Sequence, residues 1–170
     1  RDESTRFGTG WGVAVSNDYG STWQLSNQGM PPKFSSSYKI AASGNNTYLG
    51  TNAAGVFKST NFGDSWFPIN NGLTAANVTS LILSGDSTLY TSCWSNGLQK
   101  STDKGETWEV INNGLTNSYC YSIIEDDNGV LFAGTDQATF RSTNKGENWI
   151  RITAPGNDWT YHFYKDKLNR

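Results

Sequence analysis

The chain has 170 residues, of which 35% are hydrophobic and 14% aromatic, and a chain of this size and composition can bury a core without a metal or a disulfide framework. Its 13 Lys and Arg residues against 15 Asp and Glu residues give a formal net charge of -2 without any basic run, which argues against nucleic acid as a partner. Its apolar runs are shorter than the roughly 20 residues that cross a bilayer, so we expect a soluble chain with no membrane insertion and no signal peptide of its own.

Short predicted strands follow one another in the same order along the chain. Strand–loop–strand segments occur four times, as "FGTGWGVAVS", "YLGTNAAGVFKS", "LYTSCWSNGLQKS" and "LFAGTDQATFRS". Apolar segments that end in turn residues precede the last three of them, as "SYKIAASG", "VTSLILSG" and "YCYSIIEDDNG". Each unit therefore predicts strand A, a turn, strand B, a loop, strand C, a turn and strand D. No segment has a helical period, so the fold class is all-β.

One octet, which we call the box, occurs four times between strands C and D. The copies are "SNDYGSTW", "STNFGDSW", "STDKGETW" and "STNKGENW", and their tryptophans are spaced by 43, 42 and 41 residues. This period is typical of four-stranded propeller blades. We predict one domain over 1–170, with repeats at roughly 1–33, 34–76, 77–117 and 118–157 and a closing or next-blade strand at 158–170.

The box predicts a structural turn rather than an active site, since four copies cannot form one site. Asp and Asn alternate at its third position, which suits an acceptor of backbone N–H groups better than a general acid. The glycine supplies a positive φ, and the tryptophan begins the next strand and covers the turn with its ring. The residues assigned to this scaffold are Ser16, Asp18, Gly20, Trp23, Ser59, Asn61, Gly63, Trp66, Ser101, Asp103, Gly105, Trp108, Ser142, Asn144, Gly146 and Trp149.

The pattern S-x-[DN]-x-G-x-x-W resembles the Asp-box, or BNR repeat, and all four copies match every fixed position. That repeat occurs in β-propellers of sialidases, xyloglucan-active glycoside hydrolases, sortilin-type receptors and photosystem assembly factors. The resemblance implies a β-propeller of about four Asp-box blades. It leaves the function open, because unrelated activities share the repeat.

The first repeat lacks a strand A, and the chain ends with the aromatic stretch "DWTYHFYKDKLNR". Either this tail supplies the missing strand and closes a four-bladed ring, or the chain contributes to a larger ring, as the resemblance to propellers of more than four blades implies. Closure within one chain would remove open sheet edges, and we favour it. An incomplete ring would favour self-association.

Binding residues are expected on the mouth face, which carries the B-to-C loops and the D-to-A connections. Three of the seven tryptophans lie outside the boxes and map to this face, where their rings could hold a sugar or a protein side chain or could fill gaps between blades. Polar loop residues lie beside them and could bind a ligand or only face solvent. The predicted ligand-binding residues are Trp11, Asn52, Trp94, Tyr119, Asp136, Gln137 and Trp159.

The sequence assigns no catalytic residue, no metal and no cofactor. The five arginines, three of them near the ends of the chain, do not form the triad that the sialidase resemblance implies. Asp136 and Asp158 are the one candidate carboxylate pair on the mouth face, and they make a weak case for glycoside hydrolysis. The lone histidine, His162, is predicted to be a packed strand residue. Cys93 and Cys120 are predicted to be half-buried strand residues or a single disulfide.

We therefore predict a non-catalytic binding or scaffold propeller of a secreted or cell-surface protein, with a glycan or an extracellular protein as its ligand. One alternative is a carbohydrate-active hydrolase of the sialidase or xyloglucanase type, which would release product from a glycan. Another is an assembly factor, which would bind a protein complex and ignore sugars.

Overall fold

The computed structural model describes residues 13–16, 18–31, 37–153 and 159–165, and all regular structure in these residues is β-strand. None of them forms a helix long and apolar enough to cross a membrane. The strands are β1 (Ala14–Val15), β2 (Gln24–Leu25), β3 (Ser37–Ser43), β4 (Asn46–Thr51), β5 (Gly55–Ser59), β6 (Phe67–Pro68), β7 (Val78–Leu83), β8 (Leu89–Cys93), β9 (Gly97–Ser101), β10 (Glu109–Val110), β11 (Cys120–Glu125), β12 (Leu131–Thr135), β13 (Thr139–Ser142) and β14 (Ile150–Arg151).

The strands form successive antiparallel blades. Strands β3 to β6, β7 to β10 and β11 to β14 each make a four-stranded sheet in chain order, and β1 pairs with β2 in a two-stranded sheet. The four-stranded sheets have the predicted order A, B, C and D, with the box between C and D. The all-β propeller fold with four consecutive blade units is thus confirmed.

Each core lies between two consecutive blades. One cluster joins Val13 of the first unit to Leu49 and Trp66 of the second, and two further clusters join the second blade to the third and the third to the fourth. Strand β8, the second strand of its blade, is buried along its whole length. The blades are therefore stacked face to face, as expected when an apolar strand is covered on both sides.

The four boxes adopt the same turn. In the third box the Ser101 hydroxyl donates to Asp103 and accepts the Gly105 N–H at 2.8 Å, while Asp103 accepts the Thr107 N–H at 2.9 Å. Asn takes the same place in the second and fourth boxes and accepts the corresponding N–H at 3.0 Å. Hydrogen bonds to Asp103, first among them that from the Thr107 hydroxyl, lower its carboxyl pKa to about 2.

The box needs two successive residues of positive φ, where the sequence predicted only the glycine. The residues that precede the four glycines have φ between 55° and 61°, and they are Tyr19, Phe62, Lys104 and Lys145. This conformation costs a residue with a side chain about 1–2 kcal/mol. The hydrogen bonds of the turn offset that cost.

The box tryptophans also make a contact that the sequence did not predict. The indole N–H groups of Trp66, Trp108 and Trp149 donate to carbonyls of the preceding blade at 3.0, 2.6 and 2.7 Å, and each strand D begins one residue after the tryptophan. Only Trp23 donates within its own box, to the Gly20 carbonyl at 3.2 Å. Three of these rings thus join neighbouring blades.

The described part of the tail, residues 159–165, lies against the fourth blade. Thr160 donates its N–H to the Thr135 carbonyl at 2.9 Å. A Cβ placed on Gly134 would contact Thr160. In the same way, a Cβ placed on Gly50 of the second blade would contact Val78, the first residue of strand A in the third blade. The tail therefore occupies the place of a strand A that follows the fourth blade. Its closing partner would be strand B of the first repeat, which lies outside the described residues, so ring closure stays a prediction.

Candidate ligand cleft on the mouth face

A cleft of about 400 Å³ opens on the mouth face where the second, third and fourth blades and the tail meet. It is lined by Asn52, Asn77, Thr79, Trp94, Tyr121, Tyr161 and His162. No Asp, Glu, Lys or Arg side chain is among these described lining residues. The cleft surface consists of aromatic rings, amides, a hydroxyl and an imidazole.

Five aromatic rings form a continuous row along the cleft. Trp94 contacts Tyr119 edge to face at a centroid distance of 6.1 Å and Tyr121 at 5.3 Å. Tyr121 contacts Tyr161 at 4.7 Å, and Tyr161 contacts Trp159 at 5.6 Å. Ring contacts of this kind stabilise by about 0.5–1.5 kcal/mol each. All of these rings except Tyr121 are nevertheless exposed. The row is therefore ordered by its own contacts and remains open to solvent.

Irregular pairing of strand A directs two side chains into the cleft. The register between the first two strands of a blade shifts between Val78 and Ser80 and again between Cys120 and Ser122. The residues at the shifts, Thr79 and Tyr121, both line the cleft. A bulge of this kind redirects a side chain and is common beside binding sites.

Contacts within the third blade and to both of its neighbours hold the cleft walls in place. The Trp94 N–H donates to the Asn77 carbonyl at 3.0 Å, and Asn52 forms a β-bridge with Asn77. The Thr79 hydroxyl bonds Ser92 at 2.8 Å and donates to the Cys120 carbonyl at 2.7 Å. Residues of three blades are thus fixed relative to one another around the cleft.

Asp136 is a carboxylate close enough to the cleft to act electrostatically on Tyr121. Its N–H donates to the Tyr119 carbonyl at 3.3 Å, while its Oδ1 is buried with no hydrogen-bond partner. Burial raises the pKa of the Tyr121 hydroxyl, and the nearby Tyr161 and Asp136 raise it further. Tyr121 therefore faces the cleft as a neutral hydroxyl that can donate or accept a hydrogen bond.

The structure brings together four of the predicted binding residues and separates others. Trp94, Tyr119 and Trp159 belong to the aromatic row, and Asn52 lines the cleft. Asp136 adjoins it through Tyr119. Gln137 is exposed outside it, where its carbonyl accepts from Arg151 at 2.9 Å. Trp11 lies outside the described residues, as does Asp158 of the carboxylate pair.

Sequence reasoning missed some cleft residues and was wrong about another. Tyr121 and Tyr161 were not predicted, although aligning "YSIIED" of the fourth repeat with "YHFYKD" of the tail places both at the second position of a strand A. His162 was predicted to be packed, but it is exposed and lines the cleft. In the described structure no strand pairs with the tail to cover this side chain.

The two cysteines lie directly before two of the cleft aromatics. Cys93 and Cys120 are free thiols and are completely buried rather than half-buried. Burial raises the pKa of Cys93 to about 11 and that of Cys120 to about 12. At neutral pH both are uncharged, weakly reactive thiols behind the cleft wall.

Comparison with known proteins relates the chain to several propellers. It superposes with a TM-score of 0.75 on the extracellular domain of BT4673 from B. thetaiotaomicron, at 20% identity over 95% of this chain and 22% of that one. An ancestral GH74 enzyme matches at TM-score 0.69 and 22% identity, over 86% and 22% of the two chains. YCF48 bound to D1 peptide matches at TM-score 0.58 and 20% identity, over 84% and 47%.

These likenesses show the fold alone. No protein-family model matches the sequence, and no curated protein matches it. The chain spans about a fifth of the GH74 and BT4673 chains and just under half of YCF48.

Proposed function

We propose that the chain is a non-catalytic binding propeller of an extracellular protein and that it holds an uncharged oligosaccharide in the cleft of the mouth face. One observation carries this proposal, namely a row of five contacting aromatic rings beside a cleft lined without acidic or basic side chains.

Sugar rings have apolar C–H faces and a rim of hydroxyl groups. An exposed indole such as that of Trp94 or Trp159 presents a flat apolar surface to such a face. The amides of Asn52 and Asn77 line the cleft beside these rings, and the Thr79 hydroxyl, whose proton is donated to Cys120, can accept a hydrogen bond from the rim. A neutral ligand suits this cleft, because no Lys or Arg lines it to bind a carboxylate or a phosphate.

The same lining residues favour binding of a glycan over its cleavage. Glycoside hydrolysis generally uses two carboxyl groups that flank the scissile bond, about 5–9 Å apart. The described cleft lining contains none, and Asp136 is a single carboxylate behind Tyr119. This arrangement supports binding over cleavage.

The structural neighbours support the ligand class and the location without deciding either. One of them is a GH74 xyloglucanase from Xanthomonas campestris, so xyloglucan oligosaccharides are a suitable first neutral probe. Two others are extracellular domains from B. thetaiotaomicron, in keeping with a secreted or cell-surface location. YCF48 with its D1 peptide makes a protein ligand the alternative outcome.

A glycan array that includes xyloglucan oligosaccharides and charged glycans tests the proposal. We expect the wild-type chain to bind neutral glycans. Trp94→Ala should weaken binding by about 30-fold or more, since a ring at a contact centre is worth 2 kcal/mol or more. Phe62→Ala is the matched control, because Phe62 is an exposed aromatic ring on a box that does not line the cleft, and it should leave binding unchanged.

Four results would overturn the proposal. Trimmed glycans on the array would show an enzyme. Binding restricted to charged glycans would contradict the neutral cleft. Absence of glycan binding, or equal binding by Trp94→Ala, would remove the cleft as a sugar site.

A further inference from the structure

One contact between blades repeats along the chain. From the second to the third blade, the Trp108 indole donates to the Ile69 carbonyl, and a Cβ on Gly105 would collide with the Ile69 side chain. From the third blade to the fourth, Trp149, Gly146 and Ile111 repeat this arrangement. The outer strand of one blade thus covers the box of the next.

A strand C lysine adds a second part to this contact. Lys58 donates to the carbonyl of Lys104 at 3.2 Å, and Lys100 donates to the carbonyl of Lys145 at 3.5 Å. The acceptor is the fourth residue of the next box in both cases. The contact is therefore defined by an Ile and a cation on one side and by a box on the other.

The fourth blade presents the first half of this contact to solvent. Ile152 stands where Ile69 and Ile111 stand, yet it is 49% exposed, against 7% and 6% for those two. Arg141 takes the place of Lys58 and Lys100, and it too is exposed. Ile152 and Arg141 thus lie exposed at the positions that, in the second and third blades, contact the box of the following blade.

The first unit presents the second half. Trp23 is 58% exposed, whereas the other box tryptophans are at most 6% exposed. Tyr19, the fourth residue of the first box, is fully exposed, and among the described residues a Cβ on Gly20 would meet only the Trp23 ring. This box is accessible to a blade that would dock on it.

We propose that a second copy of the chain joins these two faces head to tail, with the fourth blade of one copy covering the first box of the other. In this register the Trp23 indole N–H exchanges the Gly20 carbonyl for the Ile152 carbonyl, Ile152 packs on Gly20, and Arg141 donates to the Tyr19 carbonyl. The partner is a second copy of the chain because the two exposed faces match the two halves of the contact that the chain already makes between its own blades. Both faces are exposed on the same chain, so they do not cover each other there.

Two such contacts close a symmetric ring. Two copies of four repeats give eight blades, at the upper end of the usual range of four to eight for propellers. A head-to-tail interface closes into a ring when the rotation between copies allows it. A ring closed within one chain would have the mass of a single chain, whereas the ring proposed here has the mass of two. A measurement of mass in solution therefore distinguishes them.

Sedimentation equilibrium measures the assembly directly. We expect twice the 18.7 kDa of one chain, and Trp23→Ala or Ile152→Asp should convert it to the single chain. Phe62→Ala, which alters an equally exposed ring on the second box, should remain a dimer. Circular dichroism verifies that each variant is folded, and Trp23→Phe is the milder substitute if Trp23→Ala is not.

A mixing experiment tests the register. A 1:1 mixture of Trp23→Ala and Ile152→Asp chains retains one intact contact, between Ile152 of the first variant and Trp23 of the second, so the mixture should dimerise where neither variant does alone. A monomeric wild-type chain would overturn the proposal. So would a dimer insensitive to both substitutions, or a mixture that stays monomeric.

Discussion

Replacing Gly114 by alanine should open the contact between the third and fourth blades. Gly114 has a φ of +93°, and a Cβ on it would lie 2.1 Å from the carbonyl oxygen of Trp149. That oxygen belongs to backbone that is fixed by the Trp149 N–H bond to Asn113 at 2.8 Å. Relieving the clash requires the blades to separate by about 1 Å, because a Cβ atom essentially never lies within 3.0 Å of such an atom.

The cost combines backbone strain, overpacking and a weakened hydrogen bond. A left-handed conformation costs alanine about 1–2 kcal/mol, overpacking adds about 1–3 kcal/mol, and the hydrogen bond about 1 kcal/mol. Together they lower the free energy of unfolding by about 3–6 kcal/mol. Gly44→Ala is the matched control, since Gly44 also has a positive φ, +57°, but its Cβ would meet no atom within 4 Å.

Urea unfolding followed by tryptophan fluorescence measures both variants. We expect Gly44→Ala to cost about 1 kcal/mol, because reduced freedom of the unfolded chain offsets part of the strain. Gly114→Ala should cost at least about 2 kcal/mol more, with an unchanged slope against urea. Equal losses for the two variants would refute the packing argument.

Three further predictions concern the box and the thiols. Trp149→Phe removes the donor to the Ile111 carbonyl and should lower the free energy of unfolding by about 1–3 kcal/mol; a urea midpoint equal to that of the wild type would contradict this role. Asp103 has its pKa lowered to about 2, so its contribution to stability is complete above pH 4 and lost as the pH falls towards 2. Asp103→Asn should therefore lose less stability than the wild type between pH 4 and pH 2, and parallel declines in urea titrations at the two pH values would argue against the pKa shift. Cys93 and Cys120 are buried and free and should react with a thiol reagent only after unfolding, so rapid labelling of the native chain would show that their burial is wrong.

The fold could be predicted because its information is local and repeated. Each repeat supplies its own alternating strands and a polar octet, and the fixed spacing between Ser101, Asp103 and Gly105 is sufficient to predict the turn that they form. The partner of a box tryptophan could not be predicted in this way. The carbonyl that Trp108 reaches belongs to Ile69, 39 residues earlier, and nothing in the octet specifies it.

The cleft could be predicted only in part. Trp94 and Trp159 stood out because the boxes did not account for them, and the order of strands placed both on the mouth face. Tyr121 and Thr79 reach the cleft through shifts in strand register, and such shifts depend on how two strands pair rather than on either sequence. His162 was misjudged because burial of a strand residue depends on what packs over it.

The most direct test of the proposed function is the two-dimensional NMR spectrum of the indole N–H groups, with signals assigned by Trp→Phe substitution. Adding xyloglucan oligosaccharides should shift the signals of Trp94 and Trp159 and leave those of Trp66, Trp108 and Trp149, which are bonded between blades. Unchanged Trp94 and Trp159 signals at millimolar oligosaccharide, or equal shifts of the buried tryptophans, would contradict a sugar-binding cleft on the mouth face.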